Sequence, residues 1–302
     1  MIAPLDIACS CDDRFAQHAG VAIASALAAS ATPHRMRFWI ITSGLNRTNE
    51  DRLRQITDRQ GASLEILPVD LRRLQGAPVG GHITLATYFR IFLPELLPES
   101  VTRLVYLDAD VVVRRDLGEL LAHDLGDNLV GAVVNPRFQR WASLGLQPTM
   151  GYFNAGILLI PLDVWRRENI QEKLCDVIAN RAPVLKQHDQ DALNIVVVGR
   201  WQRLDLRWNQ QYSFFLVGAR GLGLSTHDYQ RLTSDPFIVH YSGSTKPWAF
   251  SDDHPLRPLY FRYLEQTPFA PWRPRPRDSK DWIRKLIRLG VPHRLRPRVF
   301  GW

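Results

Sequence analysis

Five short runs in the first half of the chain, LDIACS (5–10), RFWIIT (37–42), SLEILPV (63–69), RLVYLD (103–108) and LVGAVVN (129–135), are mostly too apolar to be strands with one wet face. Strands buried on both faces belong to sheets that helices cover on both sides. Between the early runs lie stretches of helical character, 15–30 and TNEDRLRQITDRQ (48–60), the second expected to open on a Thr or Asn cap and to end at Gly61. Strand, helix, strand, helix predicts an α/β fold, a mainly parallel sheet flanked by helices. Such sheets bind ligands beyond the carboxyl ends of their strands, where Asp12, Asp13, Asp108 and Asp110 fall.

Several function classes drop out at once. The first strand is not followed by G-x-G-x-x-G, and no G-x-x-x-x-G-K-S/T occurs, so neither a dinucleotide fold nor a P-loop NTPase is expected. Cys9, Cys11 and Cys175 have no metal-ligand spacing and are odd in number, which points to a reducing, cytoplasmic setting. GVAIASALAAS (20–30) follows Asp12 and Asp13 where a signal peptide would carry a basic segment, so it is read as a helix. No stretch reaches the roughly 18 apolar residues of a membrane span.

The second half adds FNAGILLIPL (153–162), a helix over about 163–180, DQDALNIVVVG (189–199) and FIVHYSG (237–243). After Pro268 the composition turns to Pro, Arg and Trp, which places a boundary between a body of 1–270 and a tail of 271–302. The net charge of +8 belongs to that tail, which holds ten Lys or Arg against two Asp, while the body is neutral. Within it, SKDWIRKLIRLG (279–290) sets Trp282, Ile283, Leu286 and Ile287 on one side of a helix and Arg284, Lys285 and Arg288 on the other. That is the pattern of a helix lying in an anionic membrane surface, with packing back onto the body as the alternative. The body offers no matching basic stripe, so no nucleic-acid partner is expected.

YLDADVVV (106–113) carries the chemistry. Residues two apart on a strand point to one side, so Asp108 and Asp110 would aim their oxygens at one point beyond the sheet. A hard divalent cation such as Mn²⁺ or Mg²⁺ is the natural occupant. Asp-x-Asp occurs again at Asp189/Asp191, so the context, the end of a buried run, has to select the pair. His240 at the end of FIVH is a candidate third ligand. Gly243 and Lys246 just after it suit a pyrophosphate on the same metal.

Six blocks in order, CSCDDRF, ITLATYFRIFLPELLP, RLVYLDADVVVRRDLGEL, GYFNAGILLIPLDVWRRENI, HDQDALN and VHYSGSTKPW, resemble the retaining family 8 glycosyltransferases, bacterial lipooligosaccharide galactosyltransferases and lipopolysaccharide glucosyltransferases above all. The resemblance runs over about 5–250 and implies a GT-A-like fold, a UDP-hexose donor, Mn²⁺ and a saccharide or lipid-linked acceptor at the inner face of the cell membrane. It also implies roles by position. Asp108, Asp110 and His240 match the metal ligands, Ser10 and Asp12 the uridine and ribose contacts, Gly243 and Lys246 the pyrophosphate contacts. Arg90, Asn154, Ala155, Asp189 and Gln190 match residues around the transferred sugar, with Gln190 beneath the anomeric carbon. Asp189 is expected also to cap its helix.

Two departures from the family pattern stand out. Arg14 replaces an asparagine near the nucleotide, and Asn135 with Arg137 replaces an acidic and aromatic acceptor surface, so a lactose-like acceptor is not expected to carry over. Retention by double displacement needs a protein nucleophile; Gln190 is a poor one, which leaves Asp189 or Asp191, whereas a single displacement needs none. The rival readings are a metal-dependent nucleotidyltransferase and a silent UDP-sugar-binding membrane adaptor.

Overall fold

The computed structural model describes residues 4–290 except 75, 79–84, 244, 245 and 277. Among the described residues ten strands form two sheets: β1 (Leu5–Ser10), β2 (Met36–Thr42), β3 (Ser63–Pro68), β4 (Arg103–Asp108), β5 (Val111–Val113), β6 (Val130–Val134), β7 (Phe153–Pro161), β8 (Trp201–Arg203), β9 (Gln210–Gln211) and β10 (Ile238–His240). The larger sheet has the order β3-β2-β1-β4-β7-β6-β8 and the smaller one β5-β10-β9. Pairings among β1 to β4 are parallel, as is β6 with β8, while β7 runs antiparallel to β4 and β6.

The apolar runs are buried on both faces because alternate residues serve two separate cores. Ile7, Cys9, Val105, Leu107, Ile157 and Leu159 face one, which the helices Ala16–Ala29, Arg47–Asp58 and Arg257–Leu264 cover. Ala8, Leu104, Tyr106, Leu158 and Ile160 face the other, under the 3-10 segment Leu85–Phe92 and the helices Leu162–Arg167, Ile170–Arg181 and Asp189–Val196. Period-two alternation is therefore present in the structure but hidden in the sequence, since both faces select apolar side chains. The helix Ala16–Ala29 is buried almost all round, and Gly20 lets Phe269 approach so closely that an added Cβ would lie 2.9 Å from its ring.

Three expectations need correction. The helix Arg47–Asp58 is capped by Asn46, whose side chain accepts from the Asn49 amide at 2.9 Å; Asn46 has extended backbone geometry, while Thr48 and Asn49 already lie inside the helix. The helix expected over 163–180 is two, divided at Asn169, which takes the left-handed φ of 52° that asparagine tolerates better than most residues. Asp108 and Asp110 do not lie on one strand: Asp108 ends β4 and Asp110 lies in the turn before β5, while His240 ends β10 in the smaller sheet.

The chain steps outward from β1 to β2 and β3, then returns to lay β4 on the other side of β1. A crevice opens where strand order reverses in this way. Ser10 and Asp108 are register partners at its floor. The small sheet closes the far side, with His240 opposite Val111 and the Tyr241 amide donating to the Asp110 carbonyl at 3.0 Å. Leu107, 2% exposed, is the last core anchor before Asp108. Leu107→Ala is expected to lower stability by about 2–5 kcal/mol, read as a shift of the urea midpoint at unchanged slope; a shift equivalent to under 1 kcal/mol would contradict this packing.

Candidate active site

A cleft of about 1280 Å³ lies beyond the carboxyl ends of β1 and β4. The twelve residues that the family resemblance assigns to the site all line it: Ser10, Asp12, Arg90, Asp108, Asp110, Asn154, Ala155, Asp189, Gln190, His240, Gly243 and Lys246.

At its centre, one ligand atom each from Asp108, Asp110 and His240 lie within 4.8 Å of one another. His240 Nε2 is 3.3 Å from Asp110 Oδ1 and 3.8 Å from Asp108 Oδ2. Each carboxylate turns its second oxygen to a cation: Arg90 Nη2 donates to Asp108 Oδ1 at 2.8 Å and Lys246 Nζ to Asp110 Oδ2 at 2.5 Å. His240 Nδ1 is engaged by Asn209 Oδ1 at 2.9 Å, so Nε2 presents its lone pair to the two remaining carboxylate oxygens. Three electron-rich atoms converging on one point fit a divalent cation with nitrogen and oxygen ligands. Burial alone would raise the Asp110 pKa, but the Lys246 ammonium holds it far below the usual carboxylate range.

The side of the cleft beyond Asp108 is organised by Arg90, which is 3% exposed. Its Nε is 3.0 Å from Asp189 Oδ2, its Nη1 donates to the Ala155 carbonyl, and its guanidinium lies 4.2 Å from the Tyr106 ring centre. Burial opposes the Arg90 charge, and the carboxylates of Asp108 and Asp189 more than reverse that, raising its pKa. Asp189 also accepts from Thr87 Oγ1 at 2.5 Å, and burial raises its pKa against the pull of Arg90. It does not cap its helix. The cap position is His188, at φ 53°, with no side-chain bond, because the Asp189 carboxylate is committed to Arg90 and Thr87. Gln190 Oε1 accepts from Asn154 Nδ2 at 3.1 Å and from the Ala155 amide at 3.0 Å.

Toward the other end, Asp12 caps the short turn Asp13–Phe15 by accepting from the Phe15 amide at 3.1 Å. Phe15 and Trp248 line this wall, and His18 stacks on Trp248 with ring centres 3.5 Å apart. Burial drives the His18 pKa down to about 3, so it is neutral here. Arg14 is largely exposed, 3.5 Å from Asp12 Oδ2, and stands outside the cleft lining. Asn135 and Arg137 do line the cleft, with Phe138, Lys186 and Gln187. Asp191, the alternative nucleophile, is fully buried and does not reach the cleft: Tyr152 Oη, Arg140 Nη2 and the Gln187 amide all donate to it.

Sequence reasoning missed Thr87, Asn209, Tyr152 and Gly156. The last had a readable signal, a glycine inside an apolar strand, which marks close approach. A Cβ on Gly156 would lie 2.2 Å from His240 Cε1 and 2.9 Å from Asp108 Oδ2. The other three lie far in sequence from the groups they hold, and only the fold reveals them.

A mainly parallel α/β sheet with an Asp-x-Asp turn at its switch point, met there by a histidine from a second sheet, is the arrangement expected of a GT-A-type transferase. The comparisons specify it further. Residues 6–252 match the model of Glycosyl transferase family 8, and the chain belongs to that family. It is 34% identical over 262 residues to General stress protein A of Bacillus subtilis, covering 85% of this chain and 91% of that one. It is 28% identical over 276 residues to the lipopolysaccharide 1,3-galactosyltransferase of Salmonella typhimurium, covering 88% and 79%. The solved structure of the galactosyltransferase LgtC in complex with donor and acceptor sugar analogs superposes with a TM-score of 0.76 at 28% identity, covering 88% of this chain and 98% of that one. The chain is thus a glycosyltransferase of the GT-A fold.

The close approach at Gly156 makes a sharp test. Gly156→Ala forces the His240 ring away from the carboxylates, so any affinity of the cluster for Mn²⁺ should fall by roughly 10- to 100-fold, the range for disturbing a ligand's support, as measured by the spin resonance signal of free Mn²⁺. Unchanged affinity in a folded variant would remove His240 from the metal site.

Proposed function

We propose that the chain transfers glucose or galactose, with retention of configuration, from a UDP-sugar to an envelope saccharide of the lipopolysaccharide or lipooligosaccharide type. The observation that carries this reading is the convergence of Asp108, Asp110 and His240 beside the Arg90, Asp189 and Gln190 cluster in one cleft. Asp108, Asp110 and His240 would hold Mn²⁺ or Mg²⁺, whose charge offsets the negative charge that grows on a departing diphosphate. Lys246, already drawn to Asp110, lies where it adds a second cation to that end. Gly243, at φ 128° with open space where a Cβ would stand, leaves its backbone free to approach a phosphate. Ser10 and Asp12 would bind the uridine and ribose, and Arg90 and Asp189 the sugar hydroxyls.

The geometry favours a single displacement. Gln190 Oε1 already accepts two hydrogen bonds, from Asn154 and Ala155, which draw electron density away from attack. Asp189 is ion-paired with Arg90, and Asp191 is enclosed among its donors. Asp189 Oδ2 accepts no hydrogen bond but faces the Arg90 guanidinium at 3.0 Å, an ion pair that lowers its nucleophilicity, so the acceptor hydroxyl itself would meet the anomeric carbon on the leaving-group side. Arg137 and Lys186, beside the neutral Asn135, would give the acceptor end a cationic surface, which suits a saccharide bearing phosphate. The Salmonella typhimurium and Escherichia coli relatives named for lipopolysaccharide transfer, the latter a 1,2-glucosyltransferase at 28% identity, support that acceptor class.

Incubation with a panel of UDP-sugars and Mn²⁺, followed by mass analysis, tests the reading. Free UDP with hexose, or glycosylated acceptor, is expected; pyrophosphate as product would indicate nucleotidyl transfer, and UDP-sugar binding without turnover would indicate a silent binder.

The tail completes the proposal as a peripheral membrane handle on the cytoplasmic face. The helix Ser279–Gly290 leaves Trp282, Ile283, Leu286 and Ile287 between 43% and 65% exposed, while its buried Asp281 lines the cleft and Trp282 meets Phe250 edge-on at 4.7 Å. Among the described residues no helix is long and apolar enough to cross a membrane. Residues 277 and 291–302, which hold four of the ten basic residues of the tail, lie outside the described residues. An apolar ridge at the cleft mouth would seat the enzyme on anionic lipid beside a lipid-linked acceptor. Ile283→Glu with Leu286→Glu is expected to abolish sedimentation with anionic liposomes while UDP-sugar hydrolysis in solution stays at the wild-type rate. Undiminished sedimentation would overturn the handle.

A further inference from the structure

Two buried side chains outside the cleft lining, Asn209 and Tyr152, stand at the ends of one chain of hydrogen bonds whose direction is fixed by backbone donors. A main-chain N–H can only donate. The Gly156 amide donates to Asn154 Oδ1 at 3.0 Å, which leaves Asn154 Nδ2 to donate to Gln190 Oε1. Asn154 Oδ1 also accepts from Asn209 Nδ2 at 2.9 Å, so Asn209 Oδ1 is the atom turned to His240 and must accept from Nδ1–H. At the other end the Ala155 amide fixes the oxygen of Gln190, and Nε2 donates to Tyr152 Oη at 3.1 Å. Tyr152 Oη in turn donates to Asp191 Oδ1 at 2.6 Å, and Arg140 and the Gln187 amide fill the second oxygen of that carboxylate.

Every donor and acceptor along this path has one consistent assignment. Asn209, Tyr152 and Asp191 are all 0% exposed, so water does not compete for the bonds. The path joins the metal end of the cleft to the sugar end.

We propose that Asn209 and Tyr152 are positioning residues: Asn209 holds His240 in the tautomer whose Nε2 faces the metal site, and Tyr152 holds the Gln190 amide in its orientation toward the sugar. This deepens the transferase reading and rests on it for the sugar end. The metal end stands on the Asp108, Asp110 and His240 geometry alone.

The two ends separate experimentally. With Mn²⁺ as the only ligand, Asn209→Leu should bind 10- to 100-fold more weakly than wild type, the usual cost of losing a partner that orients a histidine ligand. Asn209→Asp keeps an oxygen for Nδ1–H, though it loses the bond donated to Asn154 Oδ1, and should bind Mn²⁺ clearly more tightly than Asn209→Leu, which a merely structural role would not produce. Tyr152→Phe keeps the ring that stacks on Phe138 at 3.6 Å and should leave Mn²⁺ binding unchanged. Its kcat for UDP-sugar hydrolysis should fall roughly 10- to 100-fold, the scale of a misplaced reactive group, with KM for the donor held. Thermal unfolding of each variant confirms that it is folded. Wild-type Mn²⁺ affinity in Asn209→Leu, or binding by Asn209→Asp as weak as by Asn209→Leu, would overturn the metal-end assignment, as would a wild-type chain that binds no Mn²⁺. Wild-type kcat in Tyr152→Phe, or a KM that rises in step with the loss, would overturn the sugar-end assignment. A wild-type chain that binds Mn²⁺ but turns over no UDP-hexose would contradict the transferase reading and the Tyr152 assignment with it, leaving Asn209 to the Mn²⁺ measurement.

Discussion

Two carboxylate oxygens, from Asp108 and Asp110, are brought within 4.8 Å of each other and of an imidazole nitrogen at the end of a buried strand. Like charges at that separation repel by roughly 3–4 kcal/mol at an effective dielectric constant of about 20. The surrounding structure is arranged around that repulsion. Arg90 takes the outer oxygen of one carboxylate, Lys246 the outer oxygen of the other, and the inner oxygens are left facing His240 Nε2. With Asp189 included, three carboxylates face two cations. A divalent ion held there would turn the surplus negative charge into a positive one, which suits a diphosphate.

The fold supplies this arrangement from two sheets. The large sheet delivers Asp108 at its switch point, and β10 delivers His240 from the small sheet through its pairing with β5. Neither sheet alone makes the site. Gly156 marks the seam, since only a glycine on β7 leaves room for both His240 and Asp108. Asn154 and Ala155, the residues just before it, carry the contacts with Gln190, so one stretch of β7 serves the metal end and the sugar end together.

Much of the fold could be read in the sequence because burial on both faces leaves an unmistakable mark: runs such as RLVYLD and FNAGILLIPL are apolar at consecutive positions. The cleft residues were legible because family-specific blocks surround them. What escaped was set by long-range geometry. Convergence of Asp108 and Asp110 was expected from strand alternation, yet it arises from a turn, and His240 reaches it from another sheet. Asp189 was read as a helix cap because local rules favour it there, but a buried arginine is a stronger partner than a helix-end amide. Asn209 and Tyr152 lie more than 30 residues from the groups they touch, and nothing in their sequence neighbourhoods distinguishes them.

The account depends most on where the cation sits. Crystals soaked with Mn²⁺ and UDP, with anomalous scattering recorded at the manganese edge, locate it directly. The prediction is a single peak between Asp108 Oδ2, Asp110 Oδ1 and His240 Nε2, within ordinary bonding distance of all three. A peak elsewhere in the cleft, or none at saturating Mn²⁺, would contradict the central claim.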